Sequence, residues 1–308
     1  MTDASAVRWH TLGTLGGPFV KAGQAQICNA LTVGDNTYLF DVGQGVRGQM
    51  HRSGLKESSI KAVFLTHHHV DHNADLGAVL ISRWLADHDT PIPVYGPRGT
   101  EHLVRGLLDA NRATEWASFP VSGPAKTPLI ACASVKDLPD DLKMPTVVYE
   151  DGLVSIEAVA VDHYQVPPSA APVEVPVSVG YRIRAGGRII AFTGDSGMTP
   201  TLVPLASNAD LFICEVIDIA SVEPVIRAMM KERPAILVEK LLDNLAKNHL
   251  SPDEIGQVAA QAGVGQVVLT HYIPSFEDQT DLSNFTAGIE RHFDGKISLA
   301  RDCDVFEA

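Results

Sequence analysis

Between Lys61 and Leu80 the chain reads KAVFLTHHHVDHNADLGAVL, and its centre sets His67, His68, His69, Asp71 and His72 almost side by side. Neutral imidazoles and carboxylates are the groups that bind zinc, iron and manganese. On an extended segment His67 and His69, two residues apart, point the same way, while His68 points away and stands outside the ligand set. Asp71 and His72 follow where the chain turns toward a helical stretch beginning near Leu76. By itself the cluster admits three readings: a chance gathering on a wet loop, a structural zinc clip, or half of a catalytic centre.

Three other apolar runs end on a ligand-type residue. AVAVD runs into His163, IIAFTG into Asp195 and QVVLT into His271. In layered α/β folds, side chains at strand ends leave the core and converge on a cleft, which is where chemistry collects. Together these ends give His67, His69, Asp71, His72, His163, Asp195 and His271. The set is too large for one four-coordinate zinc. It suits two Zn2+ per chain with a shared carboxylate and an open position for water, and Mn2+ or Fe2+ would accept the same ligands. His10, His51, His88, His102 and His292 lie in what reads as helix or loop without partners, so surface or polar-packing roles are expected for them. Cys28, Cys132, Cys214 and Cys303 show no C-x-x-C spacing, which excludes a zinc-thiolate clip. Cys214, in DLFICEV, reads as a small buried hydrophobe.

The elements that must position these residues are short apolar strands alternating with helices. NTYLFDVG follows the turn signal Gly34-Asp35 as the second arm of a hairpin. KAVFLT, PIPVYGP, GLVSIEAVAVDH, ADLFICE and VGQVVLTH read as strands. VGYRIRAGGRIIAFTGD reads as two strands joined by a Gly-Gly turn. LGAVLISRWLADH and GTEHLVRGLLDAN have helical spacing. SPDEIGQVAAQAG carries a helix N-cap at Ser251, proline at the first position and a C-cap at Gly263. The proline-rich Gln165–Ser178 can be neither central strand nor helix and reads as a surface loop.

The 308 residues are 45% hydrophobic and 20% charged, an ordinary globular balance. Net charge is −13, from Asp+Glu 37 against Lys+Arg 24, with no basic run. An acidic chain of this kind repels a nucleic-acid backbone, so nucleic acid is not expected as a partner. No apolar segment approaches the ~20 residues of a membrane span, and no basic-then-apolar leader opens the sequence. The expected location is cytoplasmic, or periplasmic if a leader was removed.

THHHVDH resembles the signature of the metallo-β-lactamase superfamily in its aspartate-bearing form. His163, Asp195 in FTGDSG and His271 in LTHY follow in the family's order. TLGTLGGP, YLFDVGQG, VYGPRG and GYRIRAGGRIIAFTGD resemble the ribonuclease Z and arylsulfatase-like branch, with phosphodiesterase-like members. The resemblance implies a single domain over 1–308, a four-layer αββα sandwich of two mixed sheets flanked by helices, and a homodimer. It also assigns ligands: His67, His69 and His163 to one zinc, Asp71, His72 and His271 to the other, Asp195 to both. Asp41, ending YLFD, would orient ligands from beneath, or would only cap a turn. Glu215 in ICEVID and His249 in NHLS resemble a glutamate–histidine relay of the ribonuclease Z branch, although Cys214 and Val216 depart from its flanking residues.

Ribonuclease Z of bacteria carries a long basic arm before the FGD strand. Here only Gly186-Gly187 joins the two strands. The substrate expected is therefore a small ester, a phosphodiester or sulfate ester, attacked by metal-activated hydroxide. Asp71 or His249 would protonate the leaving group, with Glu215 behind His249. Lactones, carbamates or halogenated aromatics are alternatives for the same centre. So are tRNA 3′ processing and, from another class, a non-hydrolytic metal-binding or redox role. Gln165–Ser178 and Ile217–Lys247 are expected to cover the site.

Overall fold

The structure is a computed structural model that describes residues 6–86, 90–117, 127–164, 175, 177–279 and 281–308. The chain forms two compact units. One comprises Met1–Gly13, Pro18–Pro139 and Asp302–Glu307; the other comprises Thr14–Gly17 and Asp140–Arg301.

The first unit begins with the antiparallel strands β1 (Val7–Gly13), β2 (Cys28–Val33) and β3 (Asn36–Val42). Helix α1 (Val46–Arg52) leads to β4 (Ile60–Phe64). The one-turn α2 (Val70–Asn73) and α3 (Leu76–Leu85) precede β5 (Ile92–Gly96). Helices α4 (Thr100–Ala110) and α5 (Arg112–Ala117) precede β6 (Ala133–Asp137). From β3 to β6 the pairing is parallel, which requires a crossover between successive strands, and helices supply it. The strands alternate in what they present. Leu39, Val63 and Val94 pack with Val46 and Met50 of α1, Val79 and Trp84 of α3, and Val104 and Leu108 of α4. The adjacent residues form an aromatic row on the other face: Trp9–Phe40, Phe40–Phe64 and Phe64–Tyr95, with ring centroids 5.2, 5.1 and 5.4 Å apart.

The second unit begins with three antiparallel pairings, among β7 (Thr146–Glu150), β8 (Val154–Val161), β9 (Ser178–Ala185) and β10 (Arg188–Phe192). Gly186 and Gly187 join the last two with φ of 56° and 78°. Two consecutive positive φ values are what a type I′ hairpin turn demands and glycine supplies. After α6 (Leu202–Ala206) comes β11 (Leu211–Ile217), parallel to β10. Then follow α7 (Ile219–Met229), α8 (Ala235–Asn248), α9 (Pro252–Ala262), β12 (Gln266–Ile273), α10 (Ser283–Glu290) and β13 (Lys296–Leu299). Helix α9 carries a full capping box between Ser251 and Glu254, and Gly263 closes it in the left-handed conformation. Its Ile255 and Val258 share a core with Leu202, Phe212, Leu269 and Phe285. The last strand, β14 (Asp304–Glu307), belongs to the first unit and pairs antiparallel with β1. Each unit thus carries one seven-stranded mixed sheet with its own helices. Among the described residues no helix is long and apolar enough to cross a membrane.

His10 departs from the sequence reading. It lies in β1 rather than in loop or helix, is buried, and meets Thr32 Oγ1 at 3.0 Å. His292 is not isolated either, its Nε2 lying 3.0 Å from Asp253 Oδ1. His88 and most of Gln165–Ser178 lie outside the described residues. Burial, and then the Arg8 charge, lower the pKa of His10 to about 4. The unfolded chain takes up this proton near 6.5, so stability falls as pH drops from 6.5 toward 4, by up to about 3 kcal/mol in total. His10→Gln should flatten that slope in denaturant-unfolding measurements across this window. A slope identical to wild type would contradict the burial of a neutral imidazole.

Candidate metal centre

In the first unit, β4 delivers the chain to the histidine loop, and Leu65 N–H still pairs with Tyr95 O at 2.8 Å. His67 is buried, and its Nε2 lies 3.0 Å from Nδ1 of the exposed His69. The single turn of α2 then buries Asp71 and His72, with His72 Nε2 at 3.7 Å from Asp71 Oδ2. His68 points elsewhere, its Nε2 lying 3.1 Å from the Arg98 carbonyl.

Asp41 fixes this arrangement from beneath. It ends β3 with φ of 57° and is fully buried. Oδ1 accepts Thr66 N–H at 2.8 Å; Oδ2 accepts Thr66 Oγ1–H and His72 Nδ1–H, both at 2.8 Å. A carboxylate only accepts, so His72 carries its proton on Nδ1 and its lone pair on Nε2. Thr66 Oγ1 spends its proton on Asp41 and accepts at 3.0 Å from His67 Nδ1, which leaves the His67 lone pair on Nε2. Gly43 allows the close approach this needs: a Cβ there would lie 2.2 Å from the Asp71 carbonyl oxygen.

The second unit repeats the device. His163, just past β8, donates Nδ1–H to the Asn248 carbonyl at 2.8 Å and turns Nε2 toward Asp195 Oδ2 at 3.8 Å. Asp195 follows β10, and its Oδ2 lies 3.3 Å from His271 Nε2. Glu215 in β11 accepts Ser196 N–H at 2.6 Å through Oε1. Its Oε2 is hydrogen-bonded to His249 Nδ1 and lies 3.7 Å from His271 Nδ1. Asp195, Glu215, His249 and His271 are all buried, and one donor atom from each lies within 4.8 Å of the others. A register break opposes the single residue Glu215 to Thr270 and His271, and His271 takes φ of 45°. Such bulges re-aim side chains beside active sites.

The sequence reading did not find what supports His271. Thr14–Gly17 lies alongside β12, with Leu15 bridged to Tyr272 and Tyr272 N–H donating to Thr14 O at 3.1 Å. A Cβ on Gly16 would meet His271 Nδ1, Tyr272 O and Ile273 Cγ1 at 2.9 Å each, so only glycine fits. The signal available was the Gly16-Gly17-Pro18 run.

These donor sets fit divalent metal. Far nitrogens of the imidazoles are tied to buried oxygens, and near ones are grouped with carboxylates, the pattern that orients and tunes metal ligands. Residues 36–272 match the family model described as beta-lactamase superfamily domain. The chain belongs to the metallo-β-lactamase superfamily. Its two mixed seven-stranded sheets with flanking helices are the superfamily's fold, and membership makes it a metal-dependent hydrolase. Within the superfamily it is 30% identical over 294 residues to ribonuclease Z of Mycolicibacterium paratuberculosis, covering 94% of each chain. It is 31% identical over 301 residues to ribonuclease Z of Mycobacterium marinum, covering 94% of this chain and 95% of the other. By structure it is similar to human tRNase Z, short form (TM-score 0.67, 22% identity, 97% of this chain and 98% of that one). The Bacillus subtilis metallo-beta-lactamase fold protein YhfI is equally similar (TM-score 0.67, 22% identity, 99% and 100%).

These relatives overturn the expectation that nucleic acid is not a partner. The acidic composition and the short Gly186-Gly187 turn do not separate this superfamily member from proteins named ribonuclease Z. Matches covering 94% of each chain leave no room for a long unmatched arm in the relative. Net charge also sums over the whole surface, whereas substrate responds to the local field. Carboxylates such as Asp71 and Asp195 count as acids in that sum, yet a bound cation would offset them. For the metal set, Asp41→Asn should lower divalent-ion affinity about 10–100-fold in chelator competition, while the metal-free fold survives. Unchanged affinity would contradict the role of Asp41.

Proposed function

We propose that the chain is a zinc-dependent ribonuclease Z-type endonuclease that cleaves a phosphodiester of precursor tRNA on its 3′ side. The observation that carries this reading is the match over nearly the full length, at 30% and 31% identity, to proteins named ribonuclease Z. The buried Glu215–His249 pair supports it. In this reading His67, His69 and His163 would hold one ion and Asp71, His72 and His271 a second, with Asp195 available to both. Bound there, the metal would supply a water that ionises near neutral pH and positive charge for the scissile phosphate.

The chain's own residues then handle protons and position. Glu215 accepts from His249 Nδ1 and favours the imidazolium, whose Nε2–H protonates the departing oxygen. Ser196 N–H holds the other oxygen of Glu215 and so fixes the plane of the pair. Asp71 is the second group able to hold a proton at the site. Helices α7 and α8 span most of the chain between Glu215 and His249 and expose Val225, Met229, Ile236 and Leu237. We assign them to substrate contact, and the activity to the cytoplasm, where precursor tRNA is made.

A small phosphodiester or sulfate ester is the alternative substrate for the same centre. The two are separated by incubating the zinc-loaded protein with precursor tRNA and with p-nitrophenyl phosphodiesters, sulfates and lactones. Cleavage of the precursor is expected, with Asp195→Ala inactive and His249→Ala slowed by about 10²–10⁴-fold. Turnover of small esters without precursor cleavage would overturn the ribonuclease reading. Full activity of Asp195→Ala would overturn the site.

A further inference from the structure

Four rings form a row in the second unit. His271 and His249 are near-parallel at 15° with centroids 6.2 Å apart. His249 and His163 meet edge to face at 5.0 Å, and His163 and Tyr164 lie 5.5 Å apart, tilted by 49°. The three imidazoles are buried, while Tyr164 at the end of the row is partly exposed. It directly follows His163, whose ring is tied to Asn248 O. Asp162, on the other side of His163, accepts Gly197 N–H at 2.6 Å, and Met198 next in that loop is 41% exposed. A rim with an aromatic ring and a thioether thus adjoins a site whose other side chains are imidazoles and carboxylates.

Nothing in the metal or proton chemistry calls for a ring at Tyr164. A flat, partly exposed aromatic beside a phosphodiester-cleaving pair is suited to a nucleobase face, since stacking tolerates any base and single-stranded ends leave their bases open to it. We propose that Tyr164 is a substrate-positioning residue that stacks on the nucleobase flanking the scissile phosphate. The inference rests on the phosphodiesterase reading above and names the group that orients its substrate. Tyr164 contacts the base, and His249, two rings along the row, meets the departing oxygen.

The test compares wild type, Tyr164→Phe and Tyr164→Leu on precursor RNA that is intact or abasic at the nucleotides flanking the cut. Tyr164→Leu should raise KM about ten-fold on intact RNA with little change in kcat, and should have no effect on abasic RNA. Tyr164→Phe should behave as wild type, which separates stacking from misfolding. Equal loss on both RNAs, or no loss on either, would overturn the proposal. The same variants are run on a uridine p-nitrophenyl phosphodiester and on methyl p-nitrophenyl phosphate, which share a leaving group. If RNA is not cut, the ribonuclease reading falls. Stacking then stands or falls on whether Tyr164→Leu selectively impairs the uridine ester, and turnover of neither class overturns both.

Discussion

A buried imidazole can serve as a metal ligand only if the proton on its far nitrogen has a partner, because an unsatisfied buried donor costs about 1–3 kcal/mol. Much of the site depends on meeting that condition. Asp41 answers for His72 directly and for His67 through Thr66. The Asn248 carbonyl answers for His163, and Glu215 holds the Nδ1–H of His249, the proton donor beside the ligands, in the same way. Each acceptor is itself placed by regular structure: Asp41 by the end of β3, Asn248 by the end of α8, Glu215 by β11. The lone pairs that remain are aimed before any ion arrives, so binding need not reorganise the site.

The folds of the two units explain how such acceptors come to be buried. In each sheet parallel strands bring site residues to one region: His67–His72 follow β4 and Asp195 follows β10, while Asp41, Glu215 and His271 lie near the ends of β3, β11 and β12. Local irregularities do the final aiming: the positive φ of Asp41 and His271, the register break at Glu215, and glycines where backbone approaches closely. These conformations cost energy that the surrounding sheet must offset.

Much of this was legible in the sequence. Alternating apolar runs mark the strands, and the Gly-Gly turn and the Ser251-Pro252 cap have physical signatures that the structure reproduces. Residues gathered at strand ends name the donor sets, and the outward turn of His68 follows from strand alternation. Long-range pairings were not legible. Strand β14 reaches β1 across nearly the whole chain, and Thr14–Gly17 runs beside β12, because neither contact leaves a periodic trace in its own neighbourhood. His10 was placed in loop or helix because one imidazole in a short strand leaves no periodic trace; its polar-packing role holds, with the Thr32 hydroxyl supplied by another strand. Nucleic acid was set aside as a partner because total charge was taken to describe a local surface.

Metal content tests the account most directly. Protein dialysed against zinc and then freed of unbound ion should retain roughly two ions per chain, and Asp195→Ala should retain fewer with its fold intact. A wild-type protein that keeps none, or an Asp195→Ala variant that keeps as many, would contradict the assignment of these residues to a metal centre.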